Sequence, residues 1–217
     1  MTPPPAADTA TDRAYAHTKA RLLDGTYPGG ALITEGEVSG AVGVSRTPVR
    51  EAFLRLQAEG LLRLYPKRGA LVVPVSAQEI DDVMETRGLV ERFAVEKVLS
   101  SGAHVAVGSR LRDALGRQRR LRKSPEPFTE ADRHFHGLVV AATGNQVIVD
   151  LYASLRDRQL RMGVTALLRD PERIARILEE HAALAEAIGA GDREAALACV
   201  TRHLHGTEQA LRHRAPI

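Results

Sequence analysis

Four residues in the second half of the chain could do chemistry together. Asp132 and His136 stand four apart in a helical pattern, so their side chains share a face. His181 and His203 fall in two later helical stretches separated by Gly189-Ala190-Gly191. Three imidazoles and one carboxylate from three helices could surround a divalent ion inside a bundle, and that donor set suits zinc or a similar first-row metal. Spacing alone leaves the point open. D-x-x-x-H arises on helices by chance, and a lone histidine is more often a core or surface residue. His134 and His205 stand two residues from His136 and His203, on other faces, so only one of each pair can belong to a cluster.

A second set of residues suits polyanions. Between Ser45 and Ala70 there are six Lys/Arg (Arg46, Arg50, Arg55, Arg63, Lys67, Arg68) against two acids, Glu51 and Glu59. Arg46 and Arg50 share a helix face. At the start of a helix lying in a major groove, arginine binds guanine through two parallel hydrogen bonds, whereas Lys67 and Arg68 suit phosphates. A single arginine pair would read as an ordinary solvated face; here the surrounding elements agree with nucleic-acid binding.

Those elements are local and well marked. Thr34 with Glu37 forms a capping box, Gly43 supplies a turn, and Ser45 caps a second helix through Ala58 with Pro48 in its first turn. Leu61–Tyr65 and Ala70–Val73 read as strands joined by a turn at Pro66–Gly69. Arg13–Asp24 reads as a preceding helix, and Ala31–Ile33 as an edge strand. This is a winged helix-turn-helix over residues 13–75. Residues 1–12, rich in Pro, Ala and Thr, read as a disordered tail.

From residue 76 the strands stop. Six helices are expected: from Ser76 to Leu99, Val105 to Lys123, Thr129 to Ala142, Asn145 to Leu168, Asp170-Pro171 to Ile188, and a last one from Asp192. The fold class is therefore mostly α, a winged helix-turn-helix followed by an all-α bundle at 76–217. Aromatic residues make up 4% of the chain and Trp is absent, so its core must come from Leu, Val, Ile and Ala. Cys199 is the single cysteine, which excludes an internal disulfide and a cysteine-cluster metal site. Residues 13–75 hold nine Lys/Arg against five acids, while 76–217 are nearly balanced, so the basic excess sits on the first half. The run RQRRLRK (Arg117–Lys123) is spread around its helix and reads as a solvated face. No apolar run approaches a membrane span and no signal peptide is evident, so a cytoplasmic protein is expected.

GVSRTPVREAFLRLQAEGLL followed by RGALV resembles the winged helix-turn-helix of the GntR family of bacterial transcription regulators, and DGTYPGGALI is similar to that family's turn after its first helix. The resemblance implies DNA contacts from Ser45, Arg46, Thr47 and Arg50, and from Lys67, Arg68 and Gly69 in the wing. One departure is Gly36, where many relatives carry a basic residue. DRHFHGLVVAATGN, EEHAALAEAIGAGD and CVTRHL are similar to the metal-binding form of the helical effector domain (the FCD domain) in the family's FadR branch, and six helices resemble its VanR-like version. That similarity implies Asp132, His136, His181 and His203 as ligands of a divalent metal: zinc, with nickel or manganese as alternatives. It also implies a small organic acid as effector, with Arg87 as the arginine that receives it. A bidentate guanidinium–carboxylate pair is the physical rationale; the alternative is that Arg87 only pairs with Glu91 four residues on.

The function expected is that of a homodimeric regulator, a repressor by preference, reading a palindromic double-stranded operator and released by an acid bound at the metal. A purely structural metal is the first alternative. A metal-dependent hydrolase or isomerase fused to a DNA-binding segment is the second. The enzyme reading lacks both a base placed like the Glu of H-E-x-x-H and a nucleophile motif.

Overall fold

A computed structural model of the chain describes residues 8–212, which divide between Val75 and Ser76 into two compact units. In the first unit, α1 (Ala10–Leu23) begins three residues before the expected start. Thr9 and Asp12 form a reciprocal capping box, the Asp carboxylate accepting from the Thr9 backbone, so Ala10–Asp12 belong to a helix and not to a tail. The expectation for residues 1–7 lies outside the described residues. Strand β1 (Leu32–Ile33) precedes α2 (Glu35–Val42) and α3 (Arg46–Ala58), and β2 (Leu62–Tyr65) and β3 (Gly69–Val72) complete the unit.

The capping box at Thr34 and Glu37 is present, and Gly43 ends α2 in the left-handed region at φ 70°. Ser39 Oγ donates to Val44 O at 2.6 Å, which closes the turn between the helices. Val49, Phe53 and Leu56 recur at helical spacing on α3, and all three are fully buried with Ala14, Leu22 and Val38. The sheet order is β1-β3-β2, antiparallel, with Leu32 opposite Leu71 and Tyr65 opposite Gly69. Gly69 lies at φ 107°, and a side chain there would run into the Ile33 carbonyl, so only glycine lets β1 close against the wing.

The second unit is all helical: α4 (Ala77–Ser100), α5 (His104–Arg120), α6 (Pro125–Ala141), α7 (Gln146–Ser154), α8 (Arg156–Arg169), α9 (Arg173–Ala190) and α10 (Arg193–Arg212). Helix α5 ends at Arg120 instead of Lys123 and α9 begins at Arg173 instead of Asp170-Pro171, and two departures are larger. Helix α6 starts at Pro125 instead of Thr129, because a proline in the first turn lacks only an N–H that would be unpaired anyway. The stretch expected as one helix from Asn145 to Leu168 is broken at Leu155, so the described residues of this unit form seven helices and not six. No Gly or Pro marks that break. Packing makes it, since α7 lies on α6 and α4, with buried Tyr152 donating to Glu91, while α8 runs on along α6 and α10.

Helices α5 and α9 approach closely where two glycines meet. A Cβ on Gly108 would lie 2.6 Å from Gly189 Cα, against backbone that has no side chain to move aside. On the same helix, a Cβ on Gly116 would meet nothing within 4 Å. Gly108→Ala should therefore lower stability to urea by about 1–3 kcal/mol through overpacking. Gly116→Ala should raise it by up to about 1 kcal/mol through helix propensity. Equal effects at the two positions would show that the close crossing imposes no constraint.

Candidate metal centre and nucleic-acid interface

The structure brings Asp132, His136, His181 and His203 together, with one ligand atom from each lying within 4.8 Å of all the others. Helix α6 supplies Asp132 and His136 from one face, α9 supplies His181 and α10 supplies His203. The three histidines are buried, while His134 and His205 are exposed on the outer faces of the same helices. His136 Nε2 lies 3.1 Å from His181 Nε2, and Asp132 Oδ1 lies 3.3 Å from His181 Nε2 and 3.8 Å from His203 Nε2. Two ligands on a tetrahedral zinc at about 2.0–2.1 Å stand about 3.3 Å apart, so these spacings suit such an ion.

The outer nitrogens fix what the inner ones can do. His136 Nδ1 lies 2.9 Å from Glu91 Oε2, His181 Nδ1 lies 2.8 Å from Gln118 Oε1, and His203 Nδ1 lies 2.9 Å from Glu180 Oε2. An acceptor at each Nδ1 holds the proton there and leaves each Nε2 lone pair facing inward. Two such lone pairs cannot hydrogen-bond across 3.1 Å. Asp132 Oδ1 and His203 Nε2 are buried without a hydrogen-bond partner. Converging lone pairs beside an unpartnered carboxylate oxygen fit a cation, and the residues present could hold one.

The outer residues are anchored in turn. Glu91 Oε1 accepts from Arg87 Nε at 2.7 Å and from the Tyr152 hydroxyl at 2.9 Å. Glu180 accepts two bonds from fully buried Arg173, at 2.5 and 2.7 Å. Arg173 lies flat on α10 because residue 206 is glycine; a Cβ there would stand 2.9 Å from the guanidinium carbon. Phe135 stacks on His181 with ring centroids 4.0 Å apart. Burial pushes the Glu91 carboxyl up, but Arg87 and then His136 outweigh it and hold the group well below the usual carboxylate range. Burial likewise acts against the Glu180 charge, and His203 and Arg173 bring it down to about 2. Burial dominates at His181, lowering it to about 3 despite Asp132.

Arg87 thus makes the pair with Glu91, yet its Nη2 is buried without a partner and the residue lines a cavity beside Asp132. Both readings of Arg87 have a place in the geometry. Glu91, Gln118, Arg173 and Glu180 were not singled out from the sequence as site residues. Gln118 is fully buried inside the basic run whose charged members are exposed, and nothing in a single sequence marks it as buried.

In the first unit, Gly36, Arg46, Arg50, Gln57, Tyr65 and Lys67 line one groove between α3 and the wing. Ser45, Arg46, Thr47, Arg50, Lys67 and Arg68 are all exposed. The side chains of Arg46, Arg50, Lys67 and Arg68 make no ion pair or hydrogen bond with any described residue, although Arg68 N donates to Tyr65 O. Arg55, by contrast, is turned to the opposite side, where it pairs with Asp12 at 2.8 Å and covers the Tyr15 ring. Lys67 holds its place at the wing turn with φ 62°, a conformation costly for a residue with a Cβ. Ser45 stands at the N-cap position in extended backbone, but its side chain makes no cap bond, contrary to expectation. The Arg46 guanidinium occupies the room above Gly36, with Nη2 3.6 Å from where a Cβ would stand, so a basic residue there would compete with it for space.

Residues 10–72 match the family model described as bacterial regulatory proteins, gntR family, and residues 82–206 match the FCD domain. The chain is 32% identical over 193 residues to an uncharacterized HTH-type transcriptional regulator in an unstable DNA locus of Streptomyces ambofaciens, covering 88% of this chain and 80% of that one. It is 28% identical over 210 residues to the galactonate operon transcriptional repressor of Escherichia coli (86% and 90% covered). To the gluconate operon transcriptional repressor of Bacillus licheniformis it is 25% identical over 188 residues (84% and 76%). Among solved structures, a GntR transcriptional regulator from Rhodococcus sp. RHA1 superposes with a TM-score of 0.71 at 24% identity, over 94% of this chain and 99% of that one, a likeness of fold.

The buried imidazole carries a measurable consequence. Unfolded, His181 titrates near its ordinary 6.5; folded, near 3. Between those values the unfolded chain holds a proton that the folded chain lacks, so stability falls as pH drops through that window. In chelator-treated protein, His181→Gln should reduce the slope of stability against pH between 4 and 6 by about 1.4 kcal/mol per unit. Urea denaturation at several pH values measures it, and an unchanged slope would mean that His181 is not held neutral.

Proposed function

Because the chain belongs to the GntR family of bacterial regulatory proteins and carries an FCD domain, we propose that it is a repressor whose hold on a palindromic operator is released by a small organic acid bound beside a zinc ion. The family is one of transcription regulators and not of enzymes. The observation that carries the sensing half of this reading is the inward convergence of three Nε2 atoms and Asp132 Oδ1 while every Nδ1 is engaged elsewhere. Asp132, His136, His181 and His203 would hold the ion, and an imidazole-rich set favours zinc over manganese, with nickel the closer rival. When bound, the ion supplies open coordination positions for an anionic oxygen. Arg87 Nη2, unpartnered on the cavity wall, would donate to the carboxylate of the acid.

Repression is supported by the relatives named for gluconate and galactonate operons, which are repressors. A dimer is supported by α4, where Leu89 and Phe93 stand one turn apart and are 69% and 42% exposed. A two-fold dimer would match a palindrome, with one recognition helix to each half-site. The acid acts only through its different affinity for the operator-binding geometry and the released one.

At the DNA, Arg46 and Arg50 would read bases from the start of α3, with Ser45 and Thr47 beside them. Lys67 and Arg68 would meet phosphates, and Gly69 lets the wing close. On an operator selected from randomised duplexes, Arg46→Ala and Arg50→Ala should each cost about 1–3 kcal/mol and relax specificity. Lys67→Ala should weaken all sequences alike and flatten the salt dependence. Unchanged specificity in the arginine variants would remove them as base readers.

For the sensing half, zinc-loaded protein is screened with small acids by thermal shift, and operator affinity is then measured with each acid that binds. A fall of at least about tenfold is expected, in line with ordinary coupling energies. Operator affinity that stays the same with every bound acid would sink the sensor. A melting temperature lowered by chelator, with no acid binding at all, would point to a metal that only braces the bundle.

A further inference from the structure

We infer that Gln118 is the positioning residue that sets how tightly the four-ligand centre holds its metal and how far the folded unit depends on that metal. It is a neutral acceptor behind His181, where the other two histidines lie on carboxylates. The inference rests on the metal proposed above for Asp132, His136, His181 and His203, and names the residue that limits its affinity.

The His181 ring is fixed in two stages. Phe135 stacks on it with ring centroids 4.0 Å apart and 1° between the planes, which sets the plane of the ring. A half-turn about Cβ–Cγ keeps that plane, so stacking does not choose which nitrogen faces inward. Gln118 chooses. Its Oε1 lies 2.8 Å from Nδ1, and Nε2 is thereby turned toward His136 and Asp132. An amide oxygen only accepts, so the ring proton stays on Nδ1 and the Nε2 lone pair is left for a cation.

The three outer acceptors differ in charge. Glu91, behind His136, takes bonds from Arg87 and Tyr152, and Glu180, behind His203, takes two from Arg173. Gln118 carries no charge, and its Nε2 is buried without a partner. An outer carboxylate stabilises the positive charge that an imidazole acquires on donating to a metal, and a neutral amide does so less. His181 is therefore the weakest donor of the three.

Within this bonded set three carboxylates (Asp132, Glu91 and Glu180) face two guanidiniums (Arg87 and Arg173), leaving one net negative charge. A third outer carboxylate would make it two, in a buried position and with no guanidinium bonded to it as Glu91 and Glu180 have. That excess favours a divalent cation and penalises the fold without one. Gln118 lowers the affinity and, with it, the dependence of folding on the metal.

The test compares full-length wild type, Gln118→Glu and Gln118→Met. Zinc affinity is measured by competition with a chromophoric chelator, and thermal melting is followed in excess EDTA. Gln118→Met should bind zinc about 10–100-fold more weakly, and Gln118→Glu at least about tenfold more tightly. Gln118→Glu should also melt below wild type in EDTA. A residue that only packs would lose affinity and stability together in both variants, and that result would overturn the inference. So would zinc affinity unchanged in both, or tighter zinc in Gln118→Glu with no loss of stability in EDTA. Nitrogen-15 spectra of zinc-free wild type need no variant: His181 should carry its proton on Nδ1, and a proton on Nε2 would overturn the role of Gln118. Wild type that takes up no zinc, nickel or manganese would remove the metal reading and this inference with it. Uptake by wild type with unaltered variants would overturn this inference alone.

Discussion

The constraint on which the helical unit depends is electrostatic. Three imidazole nitrogens and a carboxylate oxygen face one another within 4.8 Å in a buried position, and the acceptors at the outer nitrogens deny them the protons that would let them hydrogen-bond. Such an arrangement is unfavourable unless a cation lies between the lone pairs, because buried polar groups without partners are expensive. The folding of α4, α5, α6, α9 and α10 onto one another is what forces it. Each contributes a ligand or the residue that orients one, so no single helix could relax away without releasing the others.

Helix packing delivers that geometry through small residues at the crossings. Gly108 against Gly189 lets α5 and α9 approach until Gln118 meets His181. Gly206 lets the Arg173 guanidinium lie on α10, where it also donates to the His203 carbonyl at 2.9 Å. Gly163 makes room for Thr129 where α8 crosses α6. The first unit uses the same device at a smaller scale: Gly69 admits β1 to the wing, and Gly36 leaves room for the Arg46 guanidinium.

What could be read from the sequence follows the range of the interactions involved. The helix-turn-helix was legible because its signals are local: a capping box at Thr34, a left-handed glycine at 43 and an amphipathic stripe through Val49, Phe53 and Leu56. The start of α1 was missed because Asp12, and not Glu or Gln, completes the cap; that of α6 because two prolines read as a break although the first turn tolerates them. The break at Leu155 left no signal, since packing imposes it. Asp132 and His136 were visible as a same-face pair. The residues that orient the cluster were not: Gln118, on His181 Nδ1, hides in an arginine run. Outer-shell partners are chosen by tertiary proximity, which one sequence does not record.

The two arginines on the cavity wall are also the far ends of two chains that finish on histidines of the four-residue cluster. Arg87 bonds Glu91, which lies on His136 Nδ1; Arg173 bonds Glu180, which accepts from His203 Nδ1. The same carboxylates therefore set the orientation of two imidazoles and hold the guanidiniums that face the cavity. Any group that draws Arg87 or Arg173 away from its carboxylate changes the acceptor strength felt by a histidine, and any change at the histidines acts back on the arginines. Linkage of this kind is reciprocal by thermodynamic necessity. Cavity and cluster cannot be independent sites in this fold, because each arginine–carboxylate pair belongs to both.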